Sequence, residues 1–405
     1  MTAGDSSVPP SGTCFDVIVI GGGAMGLAAA HQAAARGLGT LLLEQFDTFA
    51  DPRASSSGAS RMFRIMHSPD HLAKLAQAAL TLWDNLQNAD GTQILRKQPL
   101  IFYGEPSGPT VEGDLGAMPR VMSGLGIPYD LFATPQALVQ RYPAFKAMPD
   151  TFVGLVQADS GVIGVEAAIA ALRRLATKAG ATLMTGQRAT VTAAGREEYR
   201  VNCAAGTYSS SRLILCPGAW TNQVLRPFGI ALDLAIWQMT VGYFNAATDR
   251  YDYPLWYEFG SRPGPEEPQQ LFYGFPCDEI PGAVKLGADY TETIYSDPDQ
   301  CSYQPDRQIL AEIAVFAQSR LHGIESMVAS ASACLYTMSP DAQMILDLLP
   351  DHPGVAIFTG DSGRGFKFTP LLGRILTDLV TTGRTNDDIR PFSIGRPGIM
   401  RPTTA

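Results

Sequence analysis

The chain has 405 residues, 45% of them hydrophobic and 17% charged, which suits two or three packed domains and excludes a peptide-sized or disordered protein. Thirty Lys and Arg against thirty-nine Asp and Glu give a net charge of -9 without a basic block, which argues against a general nucleic-acid or anionic-membrane binder. Cys14, Cys203, Cys216, Cys277, Cys301 and Cys334 form no C-x-x-C pair, so neither a metal site nor a disulfide framework is expected, and a reducing compartment fits. Residues 1–13 are polar, lack the layout of a signal peptide and read as a flexible tail. No apolar run reaches the roughly 20 residues that a bilayer span needs, so the expectation is a cytoplasmic protein without a membrane partner.

After the tail, Phe15 to Ile20 is a strand-like apolar run, followed by Gly21-Gly22-Gly23-Ala24-Met25-Gly26 and an Ala-rich helical stretch to Arg36. Gly21 suits the tight turn, Gly23 the close approach of a pyrophosphate, and Gly26 the packing of helix on strand. The helix N-terminus offers free N–H donors and its positive dipole end to phosphates. Thr40 to Leu43 reads as a second strand delivering Glu44, whose carboxylate can take ribose hydroxyls and repels a 2′-phosphate. These residues point to a dinucleotide, and they do not choose between FAD and NAD.

A Ser-rich loop, Ala54 to Arg64, precedes a helix over roughly Asp70 to Asn88. Pro and Gly then multiply between Pro99 and Pro149, marking departure from the nucleotide domain near residue 90. Val165 to Lys178 reads as a helix stopped by Gly180, followed by alternating strand pieces over 181–206 and the strand and turn "RLILCPGAW", Arg212 to Trp220. From Leu232 to Gln304 the aromatic-rich alternation suits an antiparallel sheet with one half-buried face, a platform for substrate. Val355 to Phe358 is a strand, Gly360 to Gly365 a glycine turn, and Thr369-Pro370 an N-cap and first-turn pair opening a helix to Gly383. The expected fold is α/β and discontinuous. A Rossmann-like nucleotide domain takes 14–90, 150–230 and 325–390, and an antiparallel-sheet substrate domain of α+β type takes 91–149 and 231–324.

Seven separated motifs, "FDVIVIGGGAMG", "SSSGASRMFR", "CPGAWTN", "FYGFP", "VKLGADY", "ACLYTMSPD" and "DSGRGFKF", together resemble the monomeric sarcosine oxidase family of flavoprotein amine oxidases, within the D-amino-acid-oxidase-like superfamily. N-methyltryptophan, pipecolate and fructosyl amino acid oxidases are relatives of that family. The resemblance runs in order from about residue 15 to 385. It implies FAD, covalently attached through a thioether from Cys334 to the flavin 8α-methyl, on the pattern Cys334, Tyr336, Thr337, Pro340 and Asp341. Taken alone, Cys334 reads as a buried structural cysteine. The resemblance further implies that Gly21, Gly23, Gly26, Glu44, Ser60, Gly363, Gly365 and Lys367 contact the cofactor, with the helix opening at Thr369 facing the pyrimidine end of the flavin.

By the same resemblance, Lys367 and Arg64 bind the substrate carboxylate, Arg61 lies close to the flavin ring, Tyr273 touches substrate, and Lys285 sits beside flavin N5 and promotes reaction with O2. Without it, Lys285 is an outward strand residue, Lys367 a snorkelling one, and Arg61 and Arg64 are loop charges. Tyr243, Trp256, Tyr257 and Tyr273 are by themselves core candidates. Three positions depart from the family pattern: Ser57 stands where His is usual, His67 where an aromatic is expected, and Asp289 where His follows the flavin-side lysine. Asp289, Lys285 and Arg61 are the catalytic candidates; a carboxylate at Asp289 could hold the amine or a second cationic group. The implied activity is oxidation of a secondary-amine amino acid, N-methyl or N-alkyl, by a monomer that passes electrons to O2 and yields H2O2. The alternative is a cyclic imino acid of the pipecolate or piperideine carboxylate type, in a biosynthetic pathway.

Overall fold

The computed structural model describes residues 8–106, 108, 110–194, 198–260, 271–276 and 278–401, so the first seven residues of the expected tail and Cys277 lie outside the described residues. A six-stranded sheet runs in the order Thr182–Met184, Thr40–Leu43, Val17–Ile20, Leu213–Leu215, His352–Thr359 and Ile345–Leu349, parallel except for the last strand. Val17–Ile20 and Thr40–Leu43 are buried along their whole length, which is why both are unbroken apolar runs rather than alternating ones. The helices Ala24–Ala35, Val165–Lys178 and Thr369–Thr382 cover one face. A Cβ on Gly373 would strike the backbone of Ala28, so this glycine lets two of them close on each other. The other face carries a four-stranded sheet of Cys14–Phe15, Gly206–Ser210, Tyr199–Cys203 and Thr190–Ala194, and Tyr199, Val201 and Tyr208 pack on Ile18, Leu41 and Leu213.

A second, nine-stranded sheet is mostly antiparallel. From one edge it runs Ile294–Tyr295, Ala235–Ala246, Ala283–Ala288, Leu271–Gly274, Leu255–Phe259, Leu100–Gly104, Val153–Gln157 and Asp130–Phe132, and Ile324–Met338 pairs along Ala235–Ala246. The pair Leu255–Phe259 and Leu100–Gly104 is parallel. One face packs on the helix Arg307–Arg320 through Phe244, Trp256, Phe272 and Ile313. A three-stranded sheet of Ser60–Phe63, Gly161–Gly164 and Leu95–Lys97 joins the two halves. The mixed α/β architecture with a Rossmann-like sheet and a second sheet is the expected one.

Several details differ from the sequence reading. Val153–Gln157 and Ile324–Met338, drawn inside the nucleotide domain, hydrogen-bond into the large sheet instead, because their pairing partners lie there. Residues 8–13 are tied down rather than flexible: Ser11 Oγ accepts from Thr207 N–H at 3.1 Å, Gly12 N–H donates to Thr207 O at 2.7 Å, and the Pro9 carbonyl accepts from the Tyr208 hydroxyl. Thr369 is the first helical residue and not the cap, since a 3₁₀ turn over Phe366–Phe368 leads directly into the helix and Thr369 Oγ1 donates back to Phe366 O at 2.7 Å. The helix after the Ser-rich loop runs Asp70–Asp90 and stops at Gly91, whose φ of 79° is left-handed. Among the described residues no helix is long and apolar enough to cross a membrane.

Candidate active site

Two cavities meet across the loops 54–60 and 358–367 and the end of strand Ile324–Met338. The first, about 510 Å³, is walled by Gly21, Gly23, Glu44, Ser56, Cys216, Trp220, Thr337 and Gly360. Gly21 has φ 103°, and a Cβ there would run into the Cys216 carbonyl; a Cβ on Gly26 would run into the Gly21 carbonyl. Those two glycines therefore let strand, turn and helix close up, and Gly26 itself lines neither cavity. Gly23 is where the backbone is open to a ligand, with Ser56 beside it. Ser56 Oγ accepts from the first-turn Ala24 N–H at 3.0 Å, so one helix donor that the sequence reading left free for phosphate is already met. The Glu44 carboxylate accepts from Gly22 N–H at 2.6 Å and Phe46 N–H at 2.9 Å, and burial raises its pKa above the ordinary carboxylate value.

The second cavity, about 300 Å³, lies on the open face of the large sheet. Side chains alternate along strands, so Ser332, Cys334 and Tyr336, then Val241 and Tyr243, then Lys285, then Tyr273, then Tyr257 reach it strand by strand across the sheet, with Phe275 and Asp289 from just beyond two strand ends. Ser60, Arg61 and Arg64 close it from the small sheet, and Gly363, Phe366 and Lys367 from the glycine loop. All the candidate catalytic and substrate-binding residues, Lys285, Arg61, Asp289, Arg64, Lys367 and Tyr273, thus line one space. Trp256 does not join Tyr243, Tyr257 and Tyr273 there; it packs in the core behind the sheet.

The charges are tightly arranged. Arg61 donates to the backbone carbonyls of Ser60, Ser55 and Ser57, which fixes the guanidinium. Lys285 Nζ donates to Ser60 O and Oγ at 3.1 and 2.9 Å, and burial pulls its pKa down to about 8. Lys367 Nζ donates to Arg364 O at 2.9 Å, and burial, with Arg64 next, brings it to about 7. Asp289 accepts from the Tyr257 hydroxyl at 2.8 Å; burial and then the Glu112 carboxylate raise it to about 6. His67, fully buried, stacks on Phe368 at 6.0 Å and is held well below its usual value by burial and then by Arg64, so its neutral ring fills an aromatic's place.

Two positions do not act as the sequence reading expects. Arg64, expected to grip a substrate carboxylate with its whole fork, already donates from Nη2 to Glu112, leaving Nη1 buried and without a partner among the described residues. Gly365 lines neither cavity; its N–H donates to Asp361 Oδ2 at 3.1 Å, so this loop amide is not free to face a flavin. Gly363 is needed for packing, because a Cβ there would strike the Tyr336 ring. Sequence reasoning missed Glu112 and Arg364, whose Nε lies 3.5 Å from the other Glu112 oxygen. Burial pushes Glu112 up, but Arg64, Arg364 and Lys367 outweigh it and hold the carboxylate below its usual range. No signal in the Pro- and Gly-rich segment 99–149 marks Glu112.

The residues fit FAD. Gly21 and Gly23 line the first cavity and Cys334 the second, and the buried Thr337 Oγ1, which also lines the first, has no hydrogen-bond partner among the described residues. The family model for FAD-dependent oxidoreductases of the DAO type matches residues 16–379. The chain is 30% identical to the monomeric sarcosine oxidase of Bacillus sp. strain B-0618 over 96% of this chain and 97% of that one. It is 27% identical to the N-methyl-L-tryptophan oxidase of Escherichia coli O157:H7 over 94% and 99% of the two chains. Among solved structures, the open form of NikD, an unusual amino acid oxidase essential for nikkomycin biosynthesis, superposes with a TM-score of 0.83 at 29% identity, covering 94% of this chain and 97% of that one. The chain belongs to the DAO family of FAD-dependent oxidoreductases and is an FAD-dependent amino acid oxidase.

Proposed function

We propose that the protein oxidises an amino acid bearing a secondary amine, N-methyl or N-alkyl, with FAD tethered through Cys334 and O2 as the electron acceptor. The observation that carries this reading is the convergence of Lys285, Arg64, Lys367, Asp289 and Cys334 on one cavity of about 300 Å³. FAD, when bound, takes two electrons and a hydrogen from the carbon next to an amine nitrogen and passes the electrons to O2.

The chain's residues supply orientation and charge. Arg64 Nη1 and Lys367 Nζ are the donors left to receive a carboxylate, one oxygen each. Asp289 and the Tyr257 hydroxyl face the amine, and Arg61 and Lys285 disfavour an ammonium there, which keeps the nitrogen lone pair available. Gly21, Gly23 and Glu44 receive the adenosine and pyrophosphate, and Ser60 reaches the ring region through Lys285. The nucleotide domain is assigned to the parallel-sheet half and the substrate domain to the large sheet. A monomer is supported by one chain supplying every lining residue, and a reducing cytoplasm by the free thiols of Cys14, Cys203, Cys216 and Cys301.

A second reading, a cyclic imino acid of the pipecolate or piperideine carboxylate type, is favoured by the parallel Tyr257 and Tyr273 rings, 6.2 Å apart and 12° inclined, which offer a flat wall. A panel of N-methyl amino acids and cyclic imino acids, mixed anaerobically with the purified yellow protein, separates the two. We expect N-methyl substrates to bleach the flavin and, on admitting O2, to give equal amounts of formaldehyde and H2O2. Bleaching confined to the cyclic compounds, without formaldehyde, selects the second reading.

A further inference from the structure

Lys285 is held from two sides. Opposite its bonds to Ser60, its Nζ lies 3.8 Å from Oε1 of Glu279, and Oε2 of Glu279 accepts from the Tyr243 hydroxyl. Tyr243 and Lys285 are direct partners across an antiparallel pair, so both side chains leave the sheet on the cavity side. Glu279 comes from the turn that leads into strand Ala283–Ala288, and its side chain is 16% exposed against 6% for Lys285. The groups that face Lys285 are Arg61 from the small sheet, Cys334 and Tyr243 from neighbouring strands, the Phe275 ring at 4.8 Å, and Glu279. Among these the one carboxylate is Glu279, while Arg61 repels the ammonium.

We propose that Glu279 is a positioning residue for the oxygen half-reaction: its carboxylate keeps Lys285 charged and aimed into the cavity, and Tyr243 holds that carboxylate in place. The proposal rests on the reading of Lys285 as the cation that assists O2. In that half-reaction two electrons, originating in the substrate C–H bond, and two protons go to O2 to form H2O2; Lys285 stabilises the negative charge on the partly reduced oxygen and is not consumed. Burial works against an ammonium at this depth, and Glu279 is the opposing influence.

The test uses the holoenzyme and its Glu279→Gln, Glu279→Asp and Lys285→Met variants. Each is reduced anaerobically and mixed with oxygenated buffer across a pH series. Losing one adjacent opposite charge moves a buried amine by roughly one pKa unit, so, from a midpoint of about 8, Glu279→Gln is expected to reoxidise about fivefold more slowly at pH 8 with its pH profile displaced downward. Reduction by substrate should change about twofold at most, and Glu279→Asp should restore most of the rate. A readout without turnover is pulsed acetylation of Lys285 against pH, followed by mass spectrometry, whose midpoint should fall by about one unit in Glu279→Gln. Where that variant fails to fold, Tyr243→Phe, which frees the carboxylate, should lower the same midpoint by a smaller amount. An unchanged midpoint and profile, alongside a slow Lys285→Met, overturn the role of Glu279. A Lys285→Met variant that reoxidises at the parent rate overturns the underlying reading of Lys285.

Discussion

Lys367 shows how the surroundings of a single side chain set its charge. Its backbone carbonyl accepts from Trp83 Nε1 at 2.8 Å, its Nζ donates to Arg364 O, and Phe368 lies under the ammonium at 5.5 Å. The residue cannot snorkel from that position, and burial and Arg64 bring it to about 7. A bound carboxylate favours the ammonium, which exists below that value and is lost above it. With a midpoint near 7, the protonated fraction of the free site falls roughly fivefold from pH 7 to pH 8, and the affinity for a simple carboxylate inhibitor should fall by the same factor. Spectral titration of the holoenzyme measures this, and Lys367→Met should weaken binding and flatten the dependence. The roles proposed for Lys285, Lys367 and Arg64 rest on the family motifs, since each by itself has an ordinary reading as a surface charge. Glu112 and Glu279 were illegible for a physical reason: Glu112 meets Arg64 across 48 residues, and Glu279 meets Tyr243 across 36, so no local spacing records either contact.

Elements with a strong local signal were read closely. Val165–Lys178 carries its apolar face at helical spacing and ends where the sequence reading ends it, whereas the aromatic strands lack the expected half-buried face: Leu255–Phe259 is buried along its whole length and Leu271–Gly274 nearly so, because one side of the sheet packs on the helix Arg307–Arg320 and the other lines the cavity. Val153–Gln157 and Ile324–Met338 fall in stretches that the sequence reading gave to the nucleotide domain yet pair within the large sheet, because pairing partners are a tertiary choice that strand patterning does not encode. The structure divides the labour of the glycine turn: Gly21 and Gly23 line the cavity, while Gly21 and Gly26 also let strand, turn and helix close on one another. Gly26→Ala forces a methyl against a backbone carbonyl, so we expect a loss of about 2 kcal/mol or more and a marked fall in bound flavin. Gly37→Ala is the control. Its φ of 80° is left-handed but the space around it is open, so a loss of about 1 kcal/mol with flavin content unchanged is expected. Thermal denaturation and the ratio of flavin to protein absorbance check both.

At the scale of the molecule, a parallel sheet built for a dinucleotide and a large antiparallel sheet built as a platform meet along two loops and one strand end. Thr337, at that strand end, belongs to the first cavity, while Cys334, three residues earlier, belongs to the second. A cofactor laid along the two cavities would be gripped by its adenosine in one half and its ring in the other, and a thioether at Cys334 would fix the ring where Lys285, Asp289 and Lys367 converge. The tether is tested by precipitating the purified yellow protein in acid and separating pellet from supernatant. The yellow colour should remain in the pellet with the unaltered chain and pass to the supernatant with Cys334→Ala; colour released by the unaltered chain contradicts the attachment.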